Sequence, residues 1–240
     1  MILKHRTKGF VFKKSDRNES DRVFSVFTED YGRVEILGKG IRKINSKLRA
    51  GIDLFFLSEI EFIQGKNHKT LTDARKVEKF CNLAQNPEKF GIAGKISEIL
   101  ENFIKGEEKD EAAFSLLGET FGKLDNFQFS AYNSQLLYYY FFWNFISSQG
   151  YRCQVRRCAC CSSGLKPHDI YFSPKEGGII CGNCFQKEKT ALKVNADAVK
   201  VLRVILEKEW RILPRLKMED SSYGLLAEIS KSALDSFCPS

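Results

Sequence analysis

Histidine is scarce in this 240-residue sequence, and its three histidines, His5, His68 and His168, lie in different contexts. They form neither a metal-ligand pattern nor a catalytic triad pattern. The sequence also lacks the Gly-x-x-x-x-Gly-Lys-Ser/Thr phosphate loop and the Gly-x-Ser-x-Gly nucleophile turn. Carboxylates are plentiful, but the sequence alone does not bring any of them together. These absences favour a protein that is not an enzyme.

Long apolar runs are also missing. The most apolar stretch, residues 136–146, is shorter than the roughly 18 residues that suggest a membrane span, and the polar residues Gln135 and Asn144 flank or interrupt it. No long apolar stretch follows the first residues, which argues against a secretory signal. With 43% apolar residues available for a core, the composition predicts a folded cytoplasmic protein that does not enter a membrane.

Positive charge is abundant, and it is unevenly distributed. Residues 1–80 contain 18 Lys and Arg against 11 Asp and Glu, a net charge of +7, whereas the whole chain carries +8. Nearly all of the excess charge therefore belongs to the first third of the chain. This asymmetry indicates either a polyanionic partner for that part or a solvated basic face without a partner.

Residues 1–75 have the composition and alternation of β-strands. Strands are predicted over residues 7–13, 21–28, 33–37, 54–63 and 69–74. Residues 29–32 form a hairpin turn in this interpretation, because Gly32 can adopt a positive φ. Five strands without a helical period between them predict a small closed or nearly closed barrel.

From residue 75 onward the apolar spacing becomes helical. Val77, Phe80, Cys81 and Ala84 follow the i, i+3, i+4, i+7 pattern of an amphipathic helix, with Cys81 on its core face. Further helices are predicted from Pro87 to Gly106, from residue 107 onward, and over residues 131–149, 193–208 and 221–234. The sequence thus predicts an α+β protein with a barrel domain over 1–78 and a helical domain over 79–240.

A cysteine-rich segment at about 151–190 interrupts the helices. Its Cys158-x-x-Cys161 pair is followed by Cys181-x-x-Cys184. Two such pairs can supply four thiolates to one tetrahedral ion, and a closed four-sulfur shell leaves no position for water. We therefore expect a structural Zn²⁺ site, with reduced core thiols or a redox pair as alternatives. Cys160 is a competing ligand, and Cys153 lies nearby.

A basic loop is expected between the third and fourth strands. Residues 38–49 contain five cations and no acid, namely Lys39, Arg42, Lys43, Lys47 and Arg49. These side chains are predicted to bind phosphates along a nucleic-acid strand, and Arg22 and Arg33 on neighbouring strands extend the track.

Aromatic residues near this loop have two interpretations. Phe10, Phe12, Phe24, Tyr31 and Phe56 are either stacking platforms for bases or the core of the barrel. The core is favoured for most of them, because they fall on predicted strands. Tyr31, in the hairpin turn, is expected to be the most exposed.

Taken in order, several short motifs resemble the RecO family of bacterial recombination mediators. In the first half these are Glu19-Ser20-Asp21-Arg22, Phe27-Thr28, Gly32, Lys39-Gly40-Ile41-Arg42-Lys43 and residues 69–74. In the second half they are Gly150-Tyr151, Cys158-Ala159-Cys160-Cys161 and residues 172–184. The resemblance extends from residue 1 to about residue 215.

This resemblance implies an N-terminal OB-fold and a helical C-terminal domain with an embedded zinc module. It also implies binding and annealing of single-stranded DNA. The implied partners are RecR and the acidic C-terminal tail of single-strand binding protein, so that RecA is loaded indirectly. The aromatic helix over 131–149 is either near the pocket for that tail or entirely core.

Two other functions remain open at this stage. A zinc-containing RNA-binding or protein-interaction factor would prefer RNA through 2′-hydroxyl contacts. A metal-dependent nuclease would need a catalytic carboxylate, and the sequence nominates none.

Overall fold

The computed structural model describes residues 3–126, 131–187, 189–216 and 218–237, without the side chains of residues 131–133 and 214. The chain divides into two compact units, residues 1–134 and 135–240. This division lies later in the chain than the predicted domain boundary after residue 78. The predicted boundary stays a prediction. Within the described residues, no helix combines the length and the apolar character needed to cross a membrane.

The first unit is built on a closed five-stranded barrel with the strand order β1-β2-β3-β5-β4. The strands are β1 (Lys4–Arg17), β2 (Asp21–Thr28), β3 (Gly32–Gly38), β4 (Phe56–Gln64) and β5 (Lys69–Lys79). All neighbouring strands are antiparallel except β3 and β5, which are parallel. The predicted barrel is confirmed, and its five strands are OB-like.

Alternating apolar side chains fill the barrel. Its core includes Val11, Phe24, Val26, Ile36 and Phe62, all of which are buried. Such alternation is expected, because successive side chains of a strand point to opposite faces of the sheet.

The predicted hairpin at 29–32 is also confirmed. Gly32 has a φ of +58°. The hydroxyl of Thr28 accepts a hydrogen bond from the backbone N–H of Tyr31 (3.0 Å) and donates one to the carbonyl of Gly32 (2.9 Å). These bonds fix the turn between β2 and β3.

Barrel closure depends on a short seam. The parallel pairing of β3 with β5 has only two registered partners, Ile36 with Lys69 and Leu37 with Thr70. Nearer the hairpin, the backbone N–H of Arg33 donates instead to the carbonyl of Gly106 (3.2 Å). A helix linker therefore takes the place of a neighbouring strand along part of β3.

Three helices complete the first unit, α1 (Cys81–Gln85), α2 (Pro87–Phe103) and α3 (Glu111–Asn126). The side chain of Asn86 caps α2 by accepting from the backbone N–H groups of Glu88 and Lys89. The prediction of a helix that includes Val77 is wrong for the first residues of that helix. Residues 75–79 belong to β5, where Arg75 pairs with Glu59 of β4. Cys81, predicted to be buried, is exposed.

The second unit begins within helix α4 (Ala131–Ser148). It continues with β6 (Ile170–Ser173), β7 (Gly178–Cys181), the one-turn helix α5 (Gly182–Phe185), β8 (Leu192–Lys193), α6 (Ala196–Leu206) and α7 (Asp220–Phe237). The three short strands form one sheet in the order β7-β6-β8.

Helix α4 is the centre of this unit. Its residues 139–146 are all buried, and the indole N–H of Trp143 donates to the hydroxyl of Ser230 in α7 (3.0 Å). The amide of Asn144 donates to the carbonyl of Ile205 in α6 (2.9 Å). These bonds give hydrogen-bond partners to two of the polar side chains that α4 buries. The interpretation of this segment as a core helix is confirmed for residues 139–146.

Candidate metal centre and nucleic-acid interface

The four predicted zinc ligands come together in the second unit. The sulfur atoms of Cys158, Cys161, Cys181 and Cys184 all lie within 4.8 Å of one another, and those of Cys161 and Cys181 are 3.8 Å apart. A zinc ion bound tetrahedrally with Zn–S distances of about 2.3 Å places its sulfur ligands about 3.8 Å apart. The four residues therefore fit a tetrahedral metal ion.

The first cysteine pair lies in a tight turn. The backbone N–H of Ser162 donates to the carbonyl of Cys158 (2.9 Å), and the N–H of Cys158 donates to the carbonyl of Ser163 (2.9 Å). Ser162 adopts a φ of +59° to close this turn. The N–H of Ala159 donates to the carbonyl of Ile179 (2.8 Å), which attaches the turn to β7.

The second pair lies where β7 passes into α5. Gly182 follows Cys181, and a Cβ atom at this position would lie 1.8 Å from a carboxylate oxygen of Asp169. Only glycine therefore permits this approach. The backbone N–H of Cys181 donates to the sulfur of Cys158 (3.4 Å), and this bond joins the two cysteine pairs.

The pKa is shifted in opposite directions for two of the four thiols. Hydrogen bonds from Ser163 lower the pKa of Cys161 to about 6. In contrast, the hydrogen bond with Cys161, together with burial, raises the pKa of Cys184. Because a metal ion requires thiolates, binding by these four residues would release protons.

The two other nearby cysteines lie outside the cluster. Cys160 is exposed, and burial raises the pKa of the Cys153 thiol to about 12. Among the described residues, the group of four that could hold a metal ion contains neither. The sulfur atoms that lie close together are thus those of the four predicted ligands.

In the first unit, the loop between β3 and β4 is fixed to the β1–β2 hairpin. The backbone N–H of Gly40 donates to the carboxylate of Asp21 (2.7 Å), and that of Arg42 donates to the carbonyl of Ser20 (3.0 Å). Gly40 has a φ of +60°, and Ile41 is buried in the barrel core. The basic segment is therefore held in a defined conformation.

Two of the predicted DNA-binding arginines share one carboxylate. Asp16 accepts from Nε of Arg22 (2.7 Å) and lies 3.5 Å from Nη2 of Arg42. The hydrogen bond from Arg22 lowers the pKa of Asp16. Sequence reasoning missed both Asp16 and Asp21 because it considered only the cations.

The remaining cations of the loop form no salt bridge within the described residues. Lys39, Lys43, Lys47 and Arg49 are exposed, and within the described part of the chain none of them forms an ion pair with a carboxylate. Arg22, Arg42 and Arg49 line a cavity of about 380 Å³ together with Lys14. One carboxylate, that of Asp53, also lines this cavity and pairs with Lys14.

Arg33 lies elsewhere. It donates to the carbonyls of Glu101 (3.1 Å) and Ile104 (3.4 Å), and its guanidinium carbon lies 5.6 Å from the centre of the Phe12 ring. Its side chain is only 16% exposed. The structure therefore does not bring Arg33 to the basic loop.

Arg33 instead lines a larger cavity of about 730 Å³ between the β1–β2 and β4–β5 turns, with Arg17, His68 and Lys69. OB-folds commonly bind oligonucleotides between these two loops, and sequence reasoning missed the cleft. Here, carboxylates already neutralise part of the positive charge. Lys69 pairs with Glu107, and Arg33 pairs with Glu35.

Most of the candidate stacking residues belong to the core, as favoured. Phe10, Phe12 and Phe24 are buried, whereas Phe56 is half-buried. Tyr31, expected to be exposed, is half-buried because its ring packs edge-on against Phe62 at 5.9 Å.

Comparison with known proteins places both units in one family. The model for the N-terminal part of recombination protein O matches residues 1–80, and the model for its C-terminal part matches residues 84–236.

Individual proteins agree with this match. The chain is 32% identical over 213 residues to the DNA repair protein RecO of Dehalococcoides mccartyi, covering 89% of this chain and 82% of that protein. It is 28% identical to the RecO of a Roseiflexus species, covering 91% and 77%. It is 25% identical to the RecO of Alkaliphilus metalliredigens, covering 96% and 92%.

Proposed function

The chain belongs to the recombination protein O family, and on that premise we propose that it acts in DNA repair by binding and annealing single-stranded DNA. The relatives named above are DNA repair proteins by name, and the chain matches each of them over most of its length. The proposed role is that of a mediator in the cytoplasm, at the nucleoid, without catalysis of a covalent step.

The observation that carries this proposal is the anchored basic loop. Lys39, Lys43, Lys47 and Arg49 are exposed and form no salt bridge with a carboxylate of the described residues, and Asp21 and Asp16 hold the loop from the β1–β2 side. A strand that binds here exchanges its counterions for fixed cations. Neutralised phosphates repel a second strand less, which favours annealing.

The second unit is the proposed binding site for partner proteins. We propose that the chain acts with RecR and contacts the acidic tail of single-strand binding protein, so that RecA is loaded indirectly. A cavity of about 450 Å³ lined by Trp143, Tyr151 and Phe237 supports the tail contact, because Arg152 and Lys175 also line it. An apolar pocket with cations suits an acidic tail that ends in an apolar residue.

Zinc is proposed as the resident metal of the second unit. Cys158, Cys161, Cys181 and Cys184 would hold it, since four soft thiolates are the ligands of structural zinc sites. Bound zinc would link the two cysteine turns covalently. Four thiolates would leave no position on the ion for water, so the metal would stabilise the fold.

The experiment that tests this function is fluorescence anisotropy with labelled single-stranded DNA, duplex DNA and RNA at two salt concentrations. The variant Lys39→Glu/Arg42→Glu/Lys43→Glu removes part of the loop charge. A matched control, Lys8→Glu/Lys76→Glu/Lys187→Glu, reverses three exposed lysines outside the loop. Zinc content and circular dichroism confirm that each variant is folded.

We expect salt-sensitive binding to single-stranded DNA that collapses in the loop variant and persists in the control. The logarithm of the binding constant falls linearly with the logarithm of the salt concentration, and loss of three phosphate contacts should make this slope less steep by about 2. Equal losses in both variants would indicate general electrostatic attraction instead of a site. Tighter binding to RNA than to DNA would favour an RNA-binding factor, and absence of DNA binding at low salt would contradict the proposal.

A further inference from the structure

The loop between β3 and β4 carries an exposed apolar side chain, that of Ile44, among its cations. Ile41 is buried in the barrel core, and Leu48 packs against that core. Ile44, halfway between them, is 97% exposed, whereas the next most exposed large apolar side chain of the described residues, that of Leu3, is 64% exposed. Ile44 therefore contributes nothing to the barrel core, although its neighbours do.

The backbone on both sides of Ile44 is held. The N–H of Lys43 donates to the carbonyl of Gly40 (3.1 Å), and the N–H of Ser46 donates to the carbonyl of Lys43 (3.1 Å). Ile44 consequently occupies the second position of a turn over 43–46, and the 3₁₀ helix Lys47–Ala50 follows directly. Its side chain projects from a fixed position, so little entropy is lost when a partner covers it.

The charges around Ile44 select the class of partner. Lys43 precedes it and Lys47 begins the 3₁₀ helix that follows, while Arg42 and Arg49 of the same loop line the cavity of about 380 Å³. Cations that line a cavity suit a narrow chain of phosphates better than they suit a flat membrane surface. In a single strand, the apolar faces of the bases lie beside the phosphates, and apolar side chains are known to insert between stacked bases.

We propose that Ile44 packs against the faces of the bases in the strand that the basic loop binds. This inference rests on the proposed function. The cations would contact phosphates, and Ile44 would supply the contact to bases without hydrogen bonds. The loop would thereby favour unpaired bases, whose faces are accessible, without selecting their sequence.

The test compares the full chain with its Ile44→Ala variant and a Leu3→Ala control, by anisotropy at several salt concentrations. One labelled strand carries bases, and a second strand of equal length consists of abasic deoxyribose phosphates. Vesicles of phosphatidylglycerol provide a third ligand. Because Ile44 is almost fully exposed, circular dichroism should show that both variants remain folded.

We expect Ile44→Ala to weaken binding to the strand with bases roughly tenfold, as for a side chain losing most of its burial. The salt slope should stay unchanged, since no phosphate contact is lost. Binding to the abasic strand should be equal for the variant and the wild type, and Leu3→Ala should behave as wild type with every ligand.

Three results would overturn the inference. They are wild-type affinity of Ile44→Ala for the strand with bases, an equal loss on both strands, or a loss confined to the vesicles. If instead the wild type bound neither strand at low salt, the proposed function itself would be wrong, and this inference would fall with it.

Discussion

The carboxylate of Asp21, on the first residue of β2, accepts a 2.7 Å hydrogen bond from the backbone N–H of Gly40 in the basic loop. Two opposite effects of Asp21 on nucleic-acid binding follow. Its negative charge repels phosphates, yet its hydrogen bond holds the loop. Asn at this position would keep an acceptor without the charge, and Ala would remove both.

We therefore expect Asp21→Asn to bind single-stranded DNA at least as tightly as the wild type, and Asp21→Ala to bind more weakly than Asp21→Asn. Anisotropy at one salt concentration measures the order of the three affinities. If Asp21→Ala bound as tightly as Asp21→Asn, the hydrogen bond to Gly40 would have no part in positioning the loop.

The same pair predicts a pH dependence. The hydrogen bond from Gly40 lowers the pKa of Asp21 below its ordinary value of 3.8. A carboxyl group with a lowered folded-state pKa stabilises the fold above its unfolded pKa, and this stabilisation is lost as the pH falls through the folded value. Hydrogen exchange at the Gly40 amide, corrected for intrinsic rates, should show constant protection from pH 8 down to about pH 4, near the ordinary Asp value, and reduced protection only below it, as the pH falls through the lowered folded pKa. Protection that is already reduced at about pH 5 would contradict this assignment.

The metal centre predicts a contrast between two adjacent cysteines. Cys161 belongs to the four-sulfur cluster and Cys160 does not. We expect about one zinc ion per chain in the wild type and in Cys160→Ser, and a clear loss of zinc in Cys161→Ser. Atomic absorption measures the metal, and thermal unfolding should show a lower Tm for Cys161→Ser. Retention of zinc by Cys161→Ser together with its loss from Cys160→Ser would exchange the two roles.

Gly182 provides a second test that leaves every sulfur in place. In Gly182→Ala the new Cβ would overlap the carboxylate of Asp169, so that side chain must leave its place beside the turn that carries Cys181 and Cys184. We expect zinc affinity to fall roughly 10- to 100-fold, as when an outer-shell residue is changed. Competition with a chromogenic chelator measures this effect. Gly164→Ala is the control, because a Cβ there meets no atom within 4 Å, and it should bind zinc as the wild type does.

The cavity beside Tyr151 predicts a charge-dependent contact with an acidic tail. Arg152 and Lys175 line it, and the ring of Tyr151 stacks on that of Phe237 at 4.5 Å. Arg152→Glu should weaken binding of the tail peptide of single-strand binding protein about tenfold, measured by anisotropy, without changing binding of single-stranded DNA by the loop. Arg211→Glu, at an exposed position that does not line the cavity, is the matched control. Equal losses in both variants would remove this cavity from consideration.

Local patterns predicted the strands well where side chains alternate between core and solvent. Strand β2 has the predicted bounds, 21–28, because Phe24 and Val26 enter the core while the β2–β3 hairpin fixes the end of the strand. The pattern failed after residue 74. There, Val77 and Phe80 have helical spacing, but pairing of β5 with β4 continues to Lys79. Pairing with a distant strand is invisible to a local window, and it overrode the weak helical preference.

The cluster of four cysteines could be predicted because the spacing within each pair favours a tight turn that brings both sulfur atoms together. The arrangement of the basic loop was predicted less completely. Charge counting identified Lys39 and Lys43 on the loop, but it could not show that Asp21 and Asp16 anchor that loop from another hairpin. Nor could it show that the guanidinium of Arg33 donates to backbone carbonyls away from the loop. These facts depend on the closure of the barrel.

The short seam between β3 and β5 has a consequence for the order in which the barrel comes apart. Only two residue pairs join these strands, whereas nine join β4 to β5. Local opening is cheapest where the fewest hydrogen bonds must break. The barrel should therefore open first where Ile36 and Leu37 pair with β5. The open sheet that results would keep all four antiparallel strand pairings. Thermal fluctuation would then expose the apolar interior along one edge while the β1–β2 hairpin, and the loop it holds, stayed intact.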